Sequence, residues 1–144
     1  MPTQEEMDRL ESFLRPPLIA VAATIGVTGM PQLTPIWYEF RDGAMFMSVT
    51  KERLKYKNLA RDGRMSVCVF DPPLAKVYAT ITGRVELADD DSIWEPTRAI
   101  CERYMAPHEV EPWMQELYGQ DRVLIILRPE RIHHLDLGRI LPEG

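Results

Sequence analysis

The sequence predicts a mainly β (α+β) domain, a small antiparallel barrel with peripheral helices. Three observations predict it. Short apolar, β-branched segments such as LIAVAATI, AMFMSV, RMSVCVF and RVLIIL recur along the chain, each bounded by Gly, Pro or Asp. Asp42-Gly43 is a strong hairpin signal, and hairpins join neighbouring strands antiparallel. Helical patterns are few and do not alternate with strands, which disfavours a doubly wound α/β sheet. The 144 residues suit one domain with a real core. Within the span 1–144 we expect an N-terminal helix over 1–16, then a barrel over 18–137 with a helical insertion at about 91–119.

The elements follow in order. Thr3 and Glu6 form a capping box, and Met7, Leu10 and Leu14 fall on one face of the helix behind it. Pro16 and Pro17 end that helix. LIAVAATI reads as a buried strand, and Thr28-Gly29 as a turn. QLTPIWYEF is a second strand, with Pro35 marking an edge, a bulge or an opened ladder. AMFMSV follows the Asp42-Gly43 turn as the third strand. Glu52 to Arg61 is rich in helix formers and predicts a short helix closed by Asp62-Gly63. RMSVCVF is a strand, and Asp71-Pro72-Pro73 breaks it. KVYATITGRVELA alternates as a long strand, interrupted at Gly83 by a bulge or sharp coil. The run Asp89–Ser92 caps an amphipathic helix carrying Ile93, Trp94, Ile100 and Tyr104. A further helix, Glu109 to Tyr118, follows Pro107 and stops at Gly119. RVLIIL and RIHHLDL are the closing strands.

Composition narrows the function classes. The formal net charge of −5 argues against a general nucleic-acid binder. The N-terminus is polar and acidic rather than a signal peptide, and Leu18 to Ile25 is too short to span a bilayer, so the expected location is the cytoplasm. Cys68 and Cys101 sit in no CxxC or Cys/His cluster, and no metal site is expected. Cys68 reads as a small core residue, and nothing calls for a disulfide between the two. His133 and His134 point to opposite faces of a strand, one toward core or interface and one toward solvent. There is no GxSxG elbow, GxGxxG turn or GxxxxGK[ST] loop. Nucleophilic catalysis and Gly-rich phosphate loops are therefore not indicated.

Two stretches carry chemistry. The first is TKERLKYKNL, where Lys51, Arg53, Lys55 and Lys57 crowd into an otherwise acidic chain. A helix starting near Thr50 directly after a strand offers unpaired N–H groups and a positive dipole end. Ser48 and Thr50 add hydroxyls, and Arg53 and Lys55 add charge, which together make a phosphate cradle. Against this stands a plain solvated helix face, although like charges at i,i+4 are mildly destabilising there. The second stretch is GMPQLTPIWYEF. Pro31 and Pro35 leave backbone groups unpaired, and a flat aromatic ligand could lie against such a strand. Periodicity alone favours a simpler reading, an edge strand with Trp37 in the core.

These residues resemble the flavin-binding split-barrel family, which includes pyridoxamine phosphate oxidase and the deazaflavin-dependent reductases of actinobacteria. The resemblance rests on Gly29-x-Pro31, Pro35-x-Trp37, the Asp42-Gly43 turn and Arg53-x-Lys55-x-x-Asn58-Leu59. It continues in the Asp62-x-Arg64 turn, in Gly83 after a Tyr-containing strand, and in RVLIILRPERI. It covers about Leu18 to Ile132. It implies a homodimeric six- to seven-stranded split barrel with cofactor sites between the subunits. Carried over by position, Thr34, Pro35, Ile36 and Trp37 would contact the ring. Ser48, Val49, Thr50, Arg53, Lys55 and Asn58 would surround the phosphate, and Lys51 and Lys57 are candidates for an acidic tail. An Arg-rich C-terminal substrate motif is missing from LDLGRILPEG, which speaks against oxidation of pyridoxamine phosphate. The compact length and the Pro35-x-Trp37 strand resemble the deazaflavin reductases, so the resemblance points to coenzyme F-420 as cofactor, with FMN as the alternative. The implied activity is hydride transfer from the reduced deazaflavin to a small conjugated substrate. The alternatives are an FMN-dependent oxidoreductase and a non-catalytic flavin- or haem-binding protein. No proton donor is assigned; Tyr78 and Arg53 are weak candidates. Tyr78, Trp94 and Trp113 are open as second-subunit contributions. No membrane or nucleic-acid partner is implied.

Overall fold

The computed structural model describes residues 1–137; residues 138–144 of the expected domain lie outside the described residues. Eight strands and four helices follow one another as α1 (Gln4–Leu14), β1 (Ala20–Ile25), β2 (Pro31–Ile36), β3 (Glu39–Arg41), β4 (Ala44–Thr50), α2 (Leu54–Arg61), β5 (Arg64–Phe70), β6 (Val77–Ala88), α3 (Trp94–Tyr104), α4 (Pro107–Tyr118), β7 (Arg122–Leu127) and β8 (Arg131–Asp136). One 3₁₀ turn, Asp91–Ile93, precedes α3, and Asp90 caps it through the Ser92 N–H.

Every strand pair is antiparallel. The path runs β2-β1-β5-β6-β7-β4-β3, with β8 paired to β6. Its two ends, β2 and β3, are consecutive in the chain and are separated by only Trp37 and Tyr38. The predicted second strand is therefore two strands, one at each edge of a curled sheet. The barrel's remaining gap is bridged by covalent chain instead of ladder hydrogen bonds. The backbone orphaned at this break finds partners on α3. Arg103 Nε donates to the Tyr38 carbonyl at 2.9 Å, and the Tyr104 hydroxyl accepts the Tyr38 N–H at 3.4 Å.

The sheet can curl because β6 changes partners along its length. Thr82 and earlier residues pair with β8, whereas Val85 and later residues pair with β7. Gly83 sits at the corner, where an added Cβ would lie 2.7 Å from the Arg128 carbonyl oxygen. The strand is continuous there; the glycine serves the close approach of a second backbone.

The core lies inside the curl. Met45, Met47 and Val49 of β4 meet Val123, Ile125 and Leu127 of β7, with Val67, Val69, Ala79 and Ile81 from β5 and β6. Leu10 and Leu14 of α1 and Leu59 of α2 are buried in the same cluster. The capping box forms as expected, with the Glu6 N–H on Thr3 Oγ1 at 3.1 Å. The segment leaving α1 is clamped from both sides. Arg103 reaches the carbonyls of Leu14, Arg15 and Pro16, and the Tyr38 hydroxyl lies 3.0 Å from those of Leu14 and Pro16. Burial, with a smaller push from Tyr104, raises the Tyr38 phenol well above its usual pKa, so it is a donor at every ordinary pH.

The outer face of the curl divides in two. Over β4 and β7 it is covered by the α3–α4 pair, and Leu124 is buried there. Over β2, β1 and β5 it carries Leu33, Pro35, Val21 and Cys68, and Leu33 is 63% exposed. Cys68 and Cys101 are both free thiols. Cys68 is half-buried on the outer face, so it is not the core residue expected. The histidines divide as expected. His133 is exposed beside Tyr78, and His134 packs edge-on against Phe13.

Candidate functional site

The basic segment folds differently from its propensities. The helix begins at Leu54, not Glu52, because residues 50–53 form a turn. The Arg53 N–H bonds back to the Thr50 carbonyl at 3.2 Å, and the Lys51 N–H bonds to the Asp121 carbonyl at 3.0 Å. Arg53, in extended conformation, is the residue that caps α2, and it makes no side-chain cap bond. The first-turn N–H groups of α2 therefore open directly behind the guanidinium-bearing residue.

The four bases have four different fates. Lys51 is held by acids, at 2.9 Å from Asp89 and 3.7 Å from Asp121, and the Asp89 hydrogen bond raises its pKa. Lys57 is exposed and lies two residues from Lys55, so about 200° around the helix at 3.6 residues per turn. Arg53 is exposed at the turn. Lys55 is only 8% exposed and makes no hydrogen bond or ion pair among the described residues. Burial lowers its pKa, and the neighbouring Arg53 lowers it further. An ammonium group desolvated beside another cation is costly unless something anionic compensates it.

A fifth cation joins this group. Arg122 opens β7 and stands opposite Thr50 in the β4–β7 ladder. Its Nε donates to Ser48 Oγ at 3.0 Å, and its Nη1 donates to Gln120 Oε1 at 2.6 Å. Burial lowers its pKa, and Arg53 acts in the same direction. No carboxylate pairs with it among the described residues. Arg53 thus acts electrostatically on both Lys55 and Arg122, and the three cations crowd the β4–α2 turn and the start of β7. No local sequence pattern marked Arg122, because an Arg at a strand start reads as ordinary surface.

Two other expected phosphate residues have structural places. Val49 is in the barrel core, 4% exposed, with its backbone in the β4–β7 ladder. Asn58 is fully buried with both polar atoms engaged. Its Nδ2 donates to Thr24 Oγ1 at 3.0 Å, and its Oδ1 accepts from Arg61 Nη2 at 3.2 Å. The bond to Thr24 pins α2 to β1, as does the Arg61 guanidinium on the Ile25 carbonyl.

The strand stretch is arranged opposite to what periodicity favours. Tyr38 is the core residue, and Trp37 is 36% exposed. Trp37 stacks flat on Tyr104, with ring centroids 4.9 Å apart and planes 4° apart. Ile36 is buried and Pro35 exposed, and with Ile19 and Trp37 they line a shallow groove. Thr34 faces inward beside Ala22, and its hydroxyl is buried without a hydrogen-bond partner among the described residues. A buried hydroxyl left unmatched is unusual and is consistent with a polar ligand atom arriving at β2.

Behind Trp37 lies a second space. It is a cavity of about 150 Å³ beneath the α3–α4 pair, lined by Trp37, Ser48, Ile100, Trp113, Leu117 and Arg122, with Thr97 and Cys101. Sequence reasoning missed it, since its walls come from four separate elements and the β2–β3 link. Trp94, by contrast, packs against Tyr118 and lines neither space. Tyr78 lies on the outer sheet face beside His133. No described helix is long and apolar enough to cross a membrane.

Comparison with known proteins adds the following. A family model described as pyridoxamine 5'-phosphate oxidase matches residues 7–136. Among solved structures, a conserved hypothetical protein from Mycobacterium tuberculosis superposes with a TM-score of 0.82 at 23% identity, over 100% of this chain and 91% of that one. An F420 reductase superposes with a TM-score of 0.68 at 26% identity, over 85% of this chain and 94% of that one. A heme binding protein from Mycobacterium smegmatis gives a TM-score of 0.68 at 20% identity, over 94% of this chain and 55% of that one.

Proposed function

Because the chain belongs to the pyridoxamine 5'-phosphate oxidase family, with its antiparallel split-barrel fold, we propose that it is a flavin-type oxidoreductase whose cofactor is coenzyme F-420, with FMN as the second candidate. The likeness to an F420 reductase supports the first choice. The observation that carries the reading is Lys55, a buried amino group that no acid among the described residues neutralises, beside Arg53. Both candidate cofactors carry a phosphate on a chain attached to a flat tricyclic ring. The residues present fit both parts.

Arg53, Lys55 and the first-turn N–H groups of α2 would hold the phosphate, with the Thr50 hydroxyl beside them. Each well-formed charge-assisted bond contributes about 1.5–3 kcal/mol. Thr34, Pro35, Ile36 and Trp37 would meet the ring. The groove beside Trp37 supplies an apolar wall. When bound and reduced, such a ring supplies a hydride to an electron-poor carbon. The chain's share of the work is to fix the ring, to place a substrate against it and to keep water out. No nucleophile is required, which agrees with the lack of any nucleophile motif.

Leu33 at 63% and Ile19 at 43% exposed form an apolar strip on the outer face of β1 and β2, continued by Trp37, which leans on Tyr104 of α3. We assign that strip to a second copy of this chain, which would close the groove over the ring. The test is absorbance and equilibrium dialysis of the purified protein with FMN, coenzyme F-420 and haemin, together with sedimentation. The expected species is a dimer that binds one of the two phosphate-bearing cofactors per chain. Binding of haemin alone, with a Soret band, would replace this reading with haem binding. Binding of none of the three would sink it.

A further inference from the structure

From the chamber beneath the α3–α4 pair, we infer that the protein binds a small, flat, apolar carboxylate there, with the carboxylate on Arg122 and the apolar body between Trp37 and Trp113. As a binding site, the inference stands on the cavity alone. Its role as the substrate site rests on the oxidoreductase reading above.

The cavity measures about 150 Å³. An apolar cavity of about that size in another protein holds benzene, so a six-membered ring sets the scale of the occupant. The walls are mostly apolar, and the side-chain hydroxyls among them already make hydrogen bonds. Thr97 Oγ1 donates to the Ile93 carbonyl at 2.7 Å. Ser48 Oγ already accepts from Arg122. Burial raises the pKa of the Cys101 thiol, which leaves it a neutral, weakly polar wall. Arg122 is the charged group of the lining. Its Nε and Nη1 are fixed by neutral acceptors, and no hydrogen bond takes up Nη2 among the described residues. The fork is thus held in place while its charge stays uncompensated. A guanidinium prefers a planar oxyanion, and a half-buried one such as Arg122 favours a monoanion over its neutral isostere.

Position adds to the case. Trp37 lines both this chamber and the groove along Pro35 and Ile36 where the cofactor ring is proposed. A ligand anchored on Arg122 would therefore share Trp37 with the ring. Arg122 also feels Arg53, so a competing source of anionic oxygen is the cofactor's own phosphate. The experiment separates the two.

Benzoate and its neutral isostere benzamide are titrated into the wild-type protein while the indole N–H signals of Trp37 and Trp113 are followed by NMR. Benzoate is expected to bind saturably, to shift both signals, and to bind at least tenfold tighter than benzamide. Arg122→Gln is expected to weaken benzoate at least tenfold and to leave benzamide unchanged. Arg122→Lys should recover part of the loss, which shows that charge and not folding is at issue. Lys55→Met should leave benzoate affinity within twofold while weakening inorganic phosphate. Equal binding of benzoate and benzamide overturns the inference, as does benzoate binding that Arg122→Gln does not change. Displacement of benzoate by inorganic phosphate, with Lys55→Met and Arg122→Gln weakening phosphate alike, also overturns it by assigning Arg122 to the phosphate. Failure of FMN and coenzyme F-420 to bind would remove the oxidoreductase reading and leave the benzoate result standing.

Discussion

Replacing Lys55 with methionine should move stability and affinity in opposite directions. Lys55 is 8% exposed, pairs with no acid among the described residues and has its pKa lowered by burial and by Arg53. In the cofactor-free protein it is a cost. Methionine keeps the stem's volume and removes the charge. Replacing uncompensated buried charge with a well-packed apolar side chain gains roughly 1–4 kcal/mol. Part of the stem is near water, so the lower end, about 1–2 kcal/mol, is the appropriate figure. For a chain of this size each kcal/mol shifts Tm by roughly 2–4 °C, so the variant should melt about 2–8 °C higher. Cofactor affinity should fall by one charge-assisted bond, about 1.5–3 kcal/mol, or roughly ten- to a hundredfold in Kd. The pH dependence has a definite sign. Lys55 binds its proton less tightly folded than unfolded, so its penalty is complete below its lowered folded pKa. The penalty fades as pH rises from there toward the ordinary lysine value. The gap in Tm between variant and wild type should narrow over that window. Thermal melts of the cofactor-free proteins across pH, with cofactor titration of each, measure all three effects. A variant that melts lower and binds the cofactor as tightly as wild type would refute the reasoning.

Three further changes test the frame around the site. Asn58→Ala leaves Thr24 and Arg61 without their buried partner and should cost about 1–3 kcal/mol in urea unfolding. The same variant, where folded, should lose less cofactor affinity than Lys55→Met. Gly83→Ala places a methyl 2.7 Å from the Arg128 carbonyl oxygen and should lower stability by at least about 1–3 kcal/mol; an unchanged Tm would show that the corner yields. Hydrogen bonds from Arg64 hold the Asp62 carboxyl down at about 2. A lowered carboxyl stabilises above its ordinary value near 3.8 and loses that contribution as pH falls through 2. Stability curves of wild type and Asp62→Asn should therefore be separated above pH 4 and converge toward pH 2.

Much of the fold was legible because it is written in local signals. Asp42 and Gly43 take positive φ values of 52° and 76°, as a two-residue hairpin turn demands. Thr3 and Glu6 cap α1 by the chemistry their spacing implies. Pro107 stands at the first position of α4, and Glu109 reaches back to the Ala106 N–H. What resisted reading is set by contacts distant in sequence. Trp37 and Tyr38 are adjacent aromatics, so alternation says that one points inward without saying which. The choice is made by the Leu14 and Pro16 carbonyls, which lie 3.0 Å from the Tyr38 hydroxyl, and by Arg103, which donates to the Tyr38 carbonyl. The start of α2 slipped to Leu54 because the Asp121 carbonyl captures the Lys51 N–H, and helix propensity carries no trace of that bond. At the site, the crowding of cations in TKERLKYKNL was visible, but not the burial of Lys55 or the pairing of Lys51 with Asp89 and Asp121. The engagement of Asn58 with Thr24, and the arrival of Arg122 from β7, depend on strand pairing alone.

The central claim is that the cofactor is held through its phosphate at the β4–α2 turn. The most direct measurement compares the cofactor that binds, coenzyme F-420 or FMN, with the same ring compound lacking its phosphate. Both are titrated into wild type and into Lys55→Met. The expected result is that the phosphate tightens binding to wild type at least tenfold, and that most of this advantage disappears in the variant. Equal affinity for the two compounds in wild type would contradict the claim.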